Sequence, residues 1–102
     1  MTRVFEVGCL PGVPGPGQWA VLLTARCDLD IATEHCARLQ IRRVGAVGRP
    51  HAVLVDLSYA FVGVPVVRCL HELIACTPTG TQVAVVGAPR WLVELAPRLA
   101  LP

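Results

Sequence analysis

The sequence predicts an α/β domain, a small mixed sheet of about four strands packed with about three helices. Three observations carry that expectation. Apolar stretches of strand length recur along the chain, namely "RVFEVGCL", "WAVLLTAR", "HAVLVDL" and "QVAVVG". After the second, third and fourth of these the apolar residues change to a helical period. Finally, 54% of residues are hydrophobic and only 16% charged, which excludes disorder and calls for a sheet buried on at least one face by helices.

"RVFEVGCL" alternates at first and reads as a short edge strand. "PGVPGPGQ" is a loop. Its glycines do not make a phosphate cradle, because prolines remove backbone donors, no Lys-Ser/Thr follows, and a strand rather than a helix comes next. "WAVLLTAR" is a continuous apolar run and reads as a buried strand. In the segment that follows, Ala32, Cys36 and Leu39 fall at i, i+4 and i+7, one stripe of a helix. Asp28 or Asp30 can cap its start. Gly45 is placed to end it, with Arg42 and Arg43 near the negative end of its dipole.

"HAVLVDL" is the next buried strand and "SYAFVGV" a turn. "PVVRCLHELIAC" is a helix whose inward face is Val66, Leu70, Leu73 and Ile74. Pro65 suits the first helical position, with Gly63 or Val64 as its cap. "TPTGT" is a turn and "QVAVVG" a third core strand. A last helix begins near Pro89, with Leu92, Leu95, Ala96 and Leu99 on its buried face and Pro97 ending or kinking it. The order β-β-α-β-α-β-α, with right-handed crossovers, makes the later strands parallel. The 102 residues are expected to form a single domain, 1–102.

Composition also narrows the function classes. The net charge is +2, and all nine basic residues are scattered arginines, so no clustered basic face for nucleic acid is expected. No signal peptide is visible, and the uncharged stretches are broken by Pro and Gly. The expectation is a cytoplasmic protein with no membrane span. Five cysteines without a CxxC pair suggest reduced thiols. Cys69 and Cys76 would stand about 10 Å apart along one helix, too far for a disulfide. An intermolecular bridge through Cys9 or Cys27 stays open. His35, His51 and His71 are scattered, and Cys69 and His71 face different sides of their helix. Neither a catalytic triad nor a metal site is expected, and no cofactor is implied.

The segment "AVLVDLSYAFVGVPVVRCLHEL" resembles the central motif of STAS domains, the family of bacterial anti-sigma factor antagonists and sulphate-transporter tails. That motif is an apolar strand, Asp-Leu-Ser, a short turn with Phe, then Asp-Ser-Ser-Gly-Leu opening a helix. Val53, Leu54, Val55, Asp56, Leu57, Ser58 and Phe61 match its first part, with one residue missing from the turn. Upstream, "LLTARCDLDIATEHCARL" is similar to the family's strand–Gly-Glu-Leu-Asp–helix segment. Downstream, "GTQVAVVGAPRWLVEL" is similar to its last strand–helix unit. The chain departs from the pattern in three ways. The phosphorylatable Ser falls on Pro65, or on Val66 without the gap. Ala25-Arg26-Cys27-Asp28 replaces the upstream tetrapeptide. The chain stops soon after Leu99, so the resemblance implies a C-terminally trimmed STAS-like fold.

The resemblance implies a non-catalytic, protein-binding module that acts in transcription regulation by partner switching with an anti-sigma factor of kinase-like fold. Pro65 has no hydroxyl, so the family's phosphate switch cannot operate there, and Ser58 and Tyr59 lie in the wrong part of the turn. In a parallel sheet the loops after the C-terminal strand ends share one edge. Asp28, Asp56, Ser58, Tyr59, Val64, Pro65 and Arg68 are therefore the candidate partner-binding residues. Phe61 and Val66 are expected to turn toward the core, and Asp56 to bond turn amides. The alternative is a structural or scaffold STAS-like module that oligomerises, as a homodimer or within a larger signalling assembly.

Overall fold

The computed structural model describes residues 3–45 and 48–96. Its elements run β1 (Phe5–Pro11), β2 (Trp19–Ala25), α1 (Glu34–Gly45), β3 (Ala52–Asp56), α2 (Val66–Cys76), β4 (Gln82–Val86) and α3 (Arg90–Leu95). The expected α/β architecture, a four-stranded mixed sheet with three helices, is present. The sheet order is β1-β2-β3-β4. β1 runs antiparallel to β2, and β2, β3 and β4 are mutually parallel neighbours.

Strand alternation sorts the side chains into two faces. The register places Val21, Leu23 and Ala25 beside Val53 and Val55, and these in turn beside Val83 and Val85. That face meets Ala37 and Ile41 of α1 and Val66, Cys69, Leu70 and Leu73 of α2 in one core cluster. The opposite face carries Leu10, Leu22, Leu54 and Val86, which stay half-buried or exposed. None of these four belongs to the core cluster. Ala20, Thr24 and Ala52 share this second face and are buried, so among the described residues the helix-packed core lies on one side of the sheet and the other side is only partly exposed.

Four elements differ from their sequence reading. α1 starts at Glu34, so Ala32 lies in the preceding turn and is exposed. Asp30 caps that turn: its Oδ1 accepts the Thr33 N–H at 3.1 Å, and its own N–H donates to Thr33 Oγ1 at 3.1 Å. The buried stripe is Ala37 and Ile41 rather than Ala32, Cys36 and Leu39, with Cys36 and Leu39 half-buried beside it. β4 is an edge strand and not a core strand, because nothing pairs with it beyond β3 among the described residues. Its Val83 and Val85 are half-buried while Gln82, Ala84 and Val86 are exposed. In α3, Leu92 is buried but Leu95 is 38% exposed, since so short a helix presents one turn to the core; Pro97 and Leu99 lie outside the described residues. In α2, Pro65 takes the cap position in place of Gly63 or Val64, and the helix begins at Val66. Pro65 already has helical angles, φ −56° and ψ −18°, so the ring pre-sets the turn that starts the helix.

One side chain ties α1 to the outer strand. Gln40 Oε1 accepts the N–H groups of Val4 at 2.6 Å and Phe5 at 2.9 Å, and Nε2 donates to the Phe5 carbonyl at 3.1 Å. α1 and α2 are further joined by ion pairs. Glu72 meets Arg38 at 3.1 Å and Arg42 at 2.9 Å, and Glu34 meets Arg38 at 3.5 Å and Arg68 at 3.1 Å. Hydrogen bonds from Arg42 and then Arg38 hold the Glu72 carboxyl below the usual carboxylate range. The arginines lie at the surface, so the network orients the helices more than it stabilises them.

Candidate functional site

The loops after β2, β3 and β4 meet at one edge, as parallel topology dictates. Backbone pairing locks the first two together. The Leu29 N–H donates to the Phe61 carbonyl at 2.8 Å, and the Gly63 N–H to the Leu29 carbonyl at 2.8 Å. Leu29 and Val62 form an isolated parallel bridge. Asp28 Oδ1 accepts the Phe61 N–H at 3.2 Å. Gly63 permits this approach: a Cβ there would stand 2.9 Å from the Leu29 carbonyl oxygen.

The third loop docks on the second. Leu57 N–H donates to the Val86 carbonyl at 2.9 Å, and Gly87, at φ +69°, lies directly against Ser58. The Ser58 N–H donates to Asp56 Oδ1 at 2.9 Å. The Ser58 hydroxyl first, and then this backbone N–H, hold the Asp56 carboxyl below its usual range. Asp56 thus bonds the turn, as its sequence context suggested.

This pairing decides which side chains face out. In the extended stretch around the bridge, neighbours alternate. Val62 turns inward and is 8% exposed, so Phe61 turns outward and is 65% exposed. The expectation that Phe61 faces the core is therefore wrong; Val66, at 1% exposed, does face it. Tyr59, Val64 and Ile31 also project into solvent, at 67%, 73% and 86%. Four large apolar side chains from two interlocked loops thus stand at the strand-end edge.

The seven candidate residues divide by role. Tyr59 and Val64 are exposed side chains, and Arg26 sits over the Tyr59 ring at 5.3 Å while pairing with Glu6 at 2.9 Å. Pro65 is half-buried behind them. Arg68 is exposed, but it holds Glu34 rather than pointing freely from the edge. Asp28, Asp56 and Ser58 fix the loops. Sequence reasoning missed Ile31, whose signal is a lone branched apolar residue in the polar cap "DLDIAT", and missed Arg26 as the partner of Tyr59. From Ile31 a shallow groove runs along the outer side of α1, lined by Glu34, His35, Arg38, Leu39 and Arg42.

The site offers little for chemistry. Burial, above all, pushes the Cys69 thiol up to about 11, and Cys76 also lies above the usual range, again chiefly from burial. Neither is poised as a thiolate. All five cysteines are free. No group of three or more His, Cys, Asp or Glu among the described residues could hold a metal. No described helix is long and apolar enough to cross a membrane. Compared with known proteins, the chain matches no family model and no curated relative.

Proposed function

We propose that this chain is a STAS-like, non-catalytic binding module that docks on a protein partner through the strand-end edge. The reading rests on one observation: Ile31, Tyr59, Phe61 and Val64 are each exposed on two strand-end loops that backbone hydrogen bonds join. Preorganised apolar side chains lose little freedom on binding, and aromatic anchors of this kind carry most of the energy in protein interfaces. The polar residues around them, Asp28, Asp56 and Arg68, are already engaged and would form a rim.

The partner class follows from the sequence resemblance. It is an anti-sigma factor of kinase-like fold, and the process is transcription control by partner switching in the cytoplasm. The usual switch adds a phosphate at the start of α2, with about two negative charges at neutral pH. Pro65 offers no acceptor oxygen, so docking here is not regulated at that position. A binding titration with kinase-like anti-sigma factors from the same cell tests the proposal, and absence of saturable binding to all of them would overturn it.

The second reading is a scaffold module that oligomerises or joins a larger assembly. The partly exposed second sheet face, with half-buried Leu10, Leu22 and Leu54 and exposed Val86, favours it, because apolar surface of this kind can mark interaction sites. A monomer throughout a range of concentrations in light scattering excludes the self-associating form of this second reading.

A further inference from the structure

The outer edge of β1 carries a short hydrogen-bonding pattern that is complementary to itself. The Arg26 N–H donates to the Val4 carbonyl, and the Gly12 N–H to the Gln18 carbonyl, each at 2.8 Å. With the antiparallel register of Phe5 opposite Ala25, these two rungs set the parity of the whole strand. Glu6, Gly8 and Leu10 turn their backbone groups toward β2. Phe5, Val7, Cys9 and Pro11 turn theirs outward.

Of those four, two are already engaged or blocked. Gln40 occupies both backbone groups of Phe5. Pro11 has no N–H to give. Val7 and Cys9 remain, each with an outward donor and acceptor that meet no partner among the described residues. Val7 is 50% exposed and Cys9 is exposed, so no described element covers this stretch. Edge strands are usually blunted by a charge, a proline or a cover. Here the blunting stops at each end and leaves the middle open.

We infer that β1 pairs antiparallel with β1 of a second copy, about a two-fold axis through Gly8. In that register Val7 lies opposite Cys9 of the second copy, and Cys9 opposite its Val7. All four free N–H groups then meet free carbonyls. A shift of two residues one way sets Cys9 opposite itself and Val7 opposite Pro11, which lacks the donor. The other way sets Val7 opposite itself and Cys9 opposite Phe5, which Gln40 holds. Only the register centred on Gly8 meets both the donor and the acceptor of Val7 and of Cys9, because in the Cys9–Cys9 register the Val7 carbonyl faces the proline; like any antiparallel self-pairing it is isologous, as a symmetric dimer requires. An unrelated peptide strand gains nothing from that symmetry.

The contact is narrow. A stable dimer typically buries about 800 Å² per partner, roughly an eighth of this chain's 6013 Å², and one strand edge covers less. The dimer is therefore a reversible one that forms toward the upper end of a range from about 10 μM to about 1 mM. The thiols take no part, because Cys9 stands beside Val7 and not beside its own copy. This inference does not depend on the docking reading.

Sedimentation equilibrium across that range, with reductant present, tests it. The expected result is a mass that rises with concentration from 10.9 kDa toward twice that value. Cys9→Pro removes an outward donor while leaving the ladder to β2 intact, and weakens association at least about tenfold. Val7→Lys, a charge on the same edge, does the same and carries the test should Cys9→Pro fail to fold. Cys9→Ser associates like the unsubstituted chain. A monomer at every concentration overturns the inference. So does a dimer that needs Cys9 oxidation, or one that both folded edge variants leave unchanged.

Discussion

Replacing Gly87 with alanine tests whether the strand-end loops are as tightly interlocked as their contacts indicate. Two costs add. At φ +69° the left-handed conformation costs an alanine about 1–2 kcal/mol. Its Cβ would also overlap the Ser58 side chain and stand 2.9 Å from the Ser58 Cα and N. Backbone atoms cannot swing aside, so the loop must shift, at about 1–3 kcal/mol for overpacking of this kind. The central expectation is about 3 kcal/mol, or roughly 12–24 °C in Tm for a domain this size. Gly80→Ala is the control, because Gly80 has φ +95° and a Cβ added there would meet nothing within 4 Å. It should show the conformational cost alone. Urea titrations of both variants give the comparison. Equal losses for Gly87→Ala and Gly80→Ala would refute the close approach of the third loop to Ser58.

Two other predictions follow from single side chains. Gln40→Ala strips two N–H groups and one carbonyl at Val4 and Phe5 of their partner, which should cost about 1–3 kcal/mol in a thermal or urea melt. A loss below about 0.5 kcal/mol would mean that water replaces the glutamine without penalty. Asp56 sits below its ordinary value of 3.8 in the folded chain, so its bonds to Ser58 stabilise the fold above that pH. This contribution is lost as pH falls through the lower folded value. Urea midpoints between about pH 5 and about pH 2 should therefore fall more steeply for the unsubstituted chain than for Asp56→Asn, and parallel profiles would contradict the assignment.

Strand and helix positions are legible in the sequence because period and turn residues speak locally. "WAVLLTAR" and "HAVLVDL" have strand length, and Pro65 and Pro89 mark helix starts. The differences arise where a contact overrides a local pattern. α1 starts later than its sequence suggests because Asp30 and Thr33 close a turn that the Ala32–Cys36–Leu39 spacing does not reveal. Apolarity alone places Phe61 inward, yet the bridge from Leu29 to Val62 gives Val62 the inward position. β4 reads as a core strand because Val83, Val85 and Val86 are apolar, and sheet order is not written in one strand's composition. Gly87 and Gly63 look like ordinary loop residues, and their need for close approach emerges only when the neighbouring loop is in place. The strand-end location of the candidate site is legible from βαβ order, but its most exposed member, Ile31, is not.

The direct test of the docking proposal is a calorimetric titration of a kinase-like anti-sigma factor with this chain and with the double variant Phe61→Asp/Val64→Asp. Both side chains are mostly exposed, so the variant should keep the melting temperature within a few degrees. Charges in place of two apolar anchors should weaken binding by about 2–4 kcal/mol, which is roughly 30- to 1000-fold in Kd. Saturable binding by the unsubstituted chain with that loss is the predicted result. Binding that the double variant retains unchanged would contradict the strand-end edge as the docking surface.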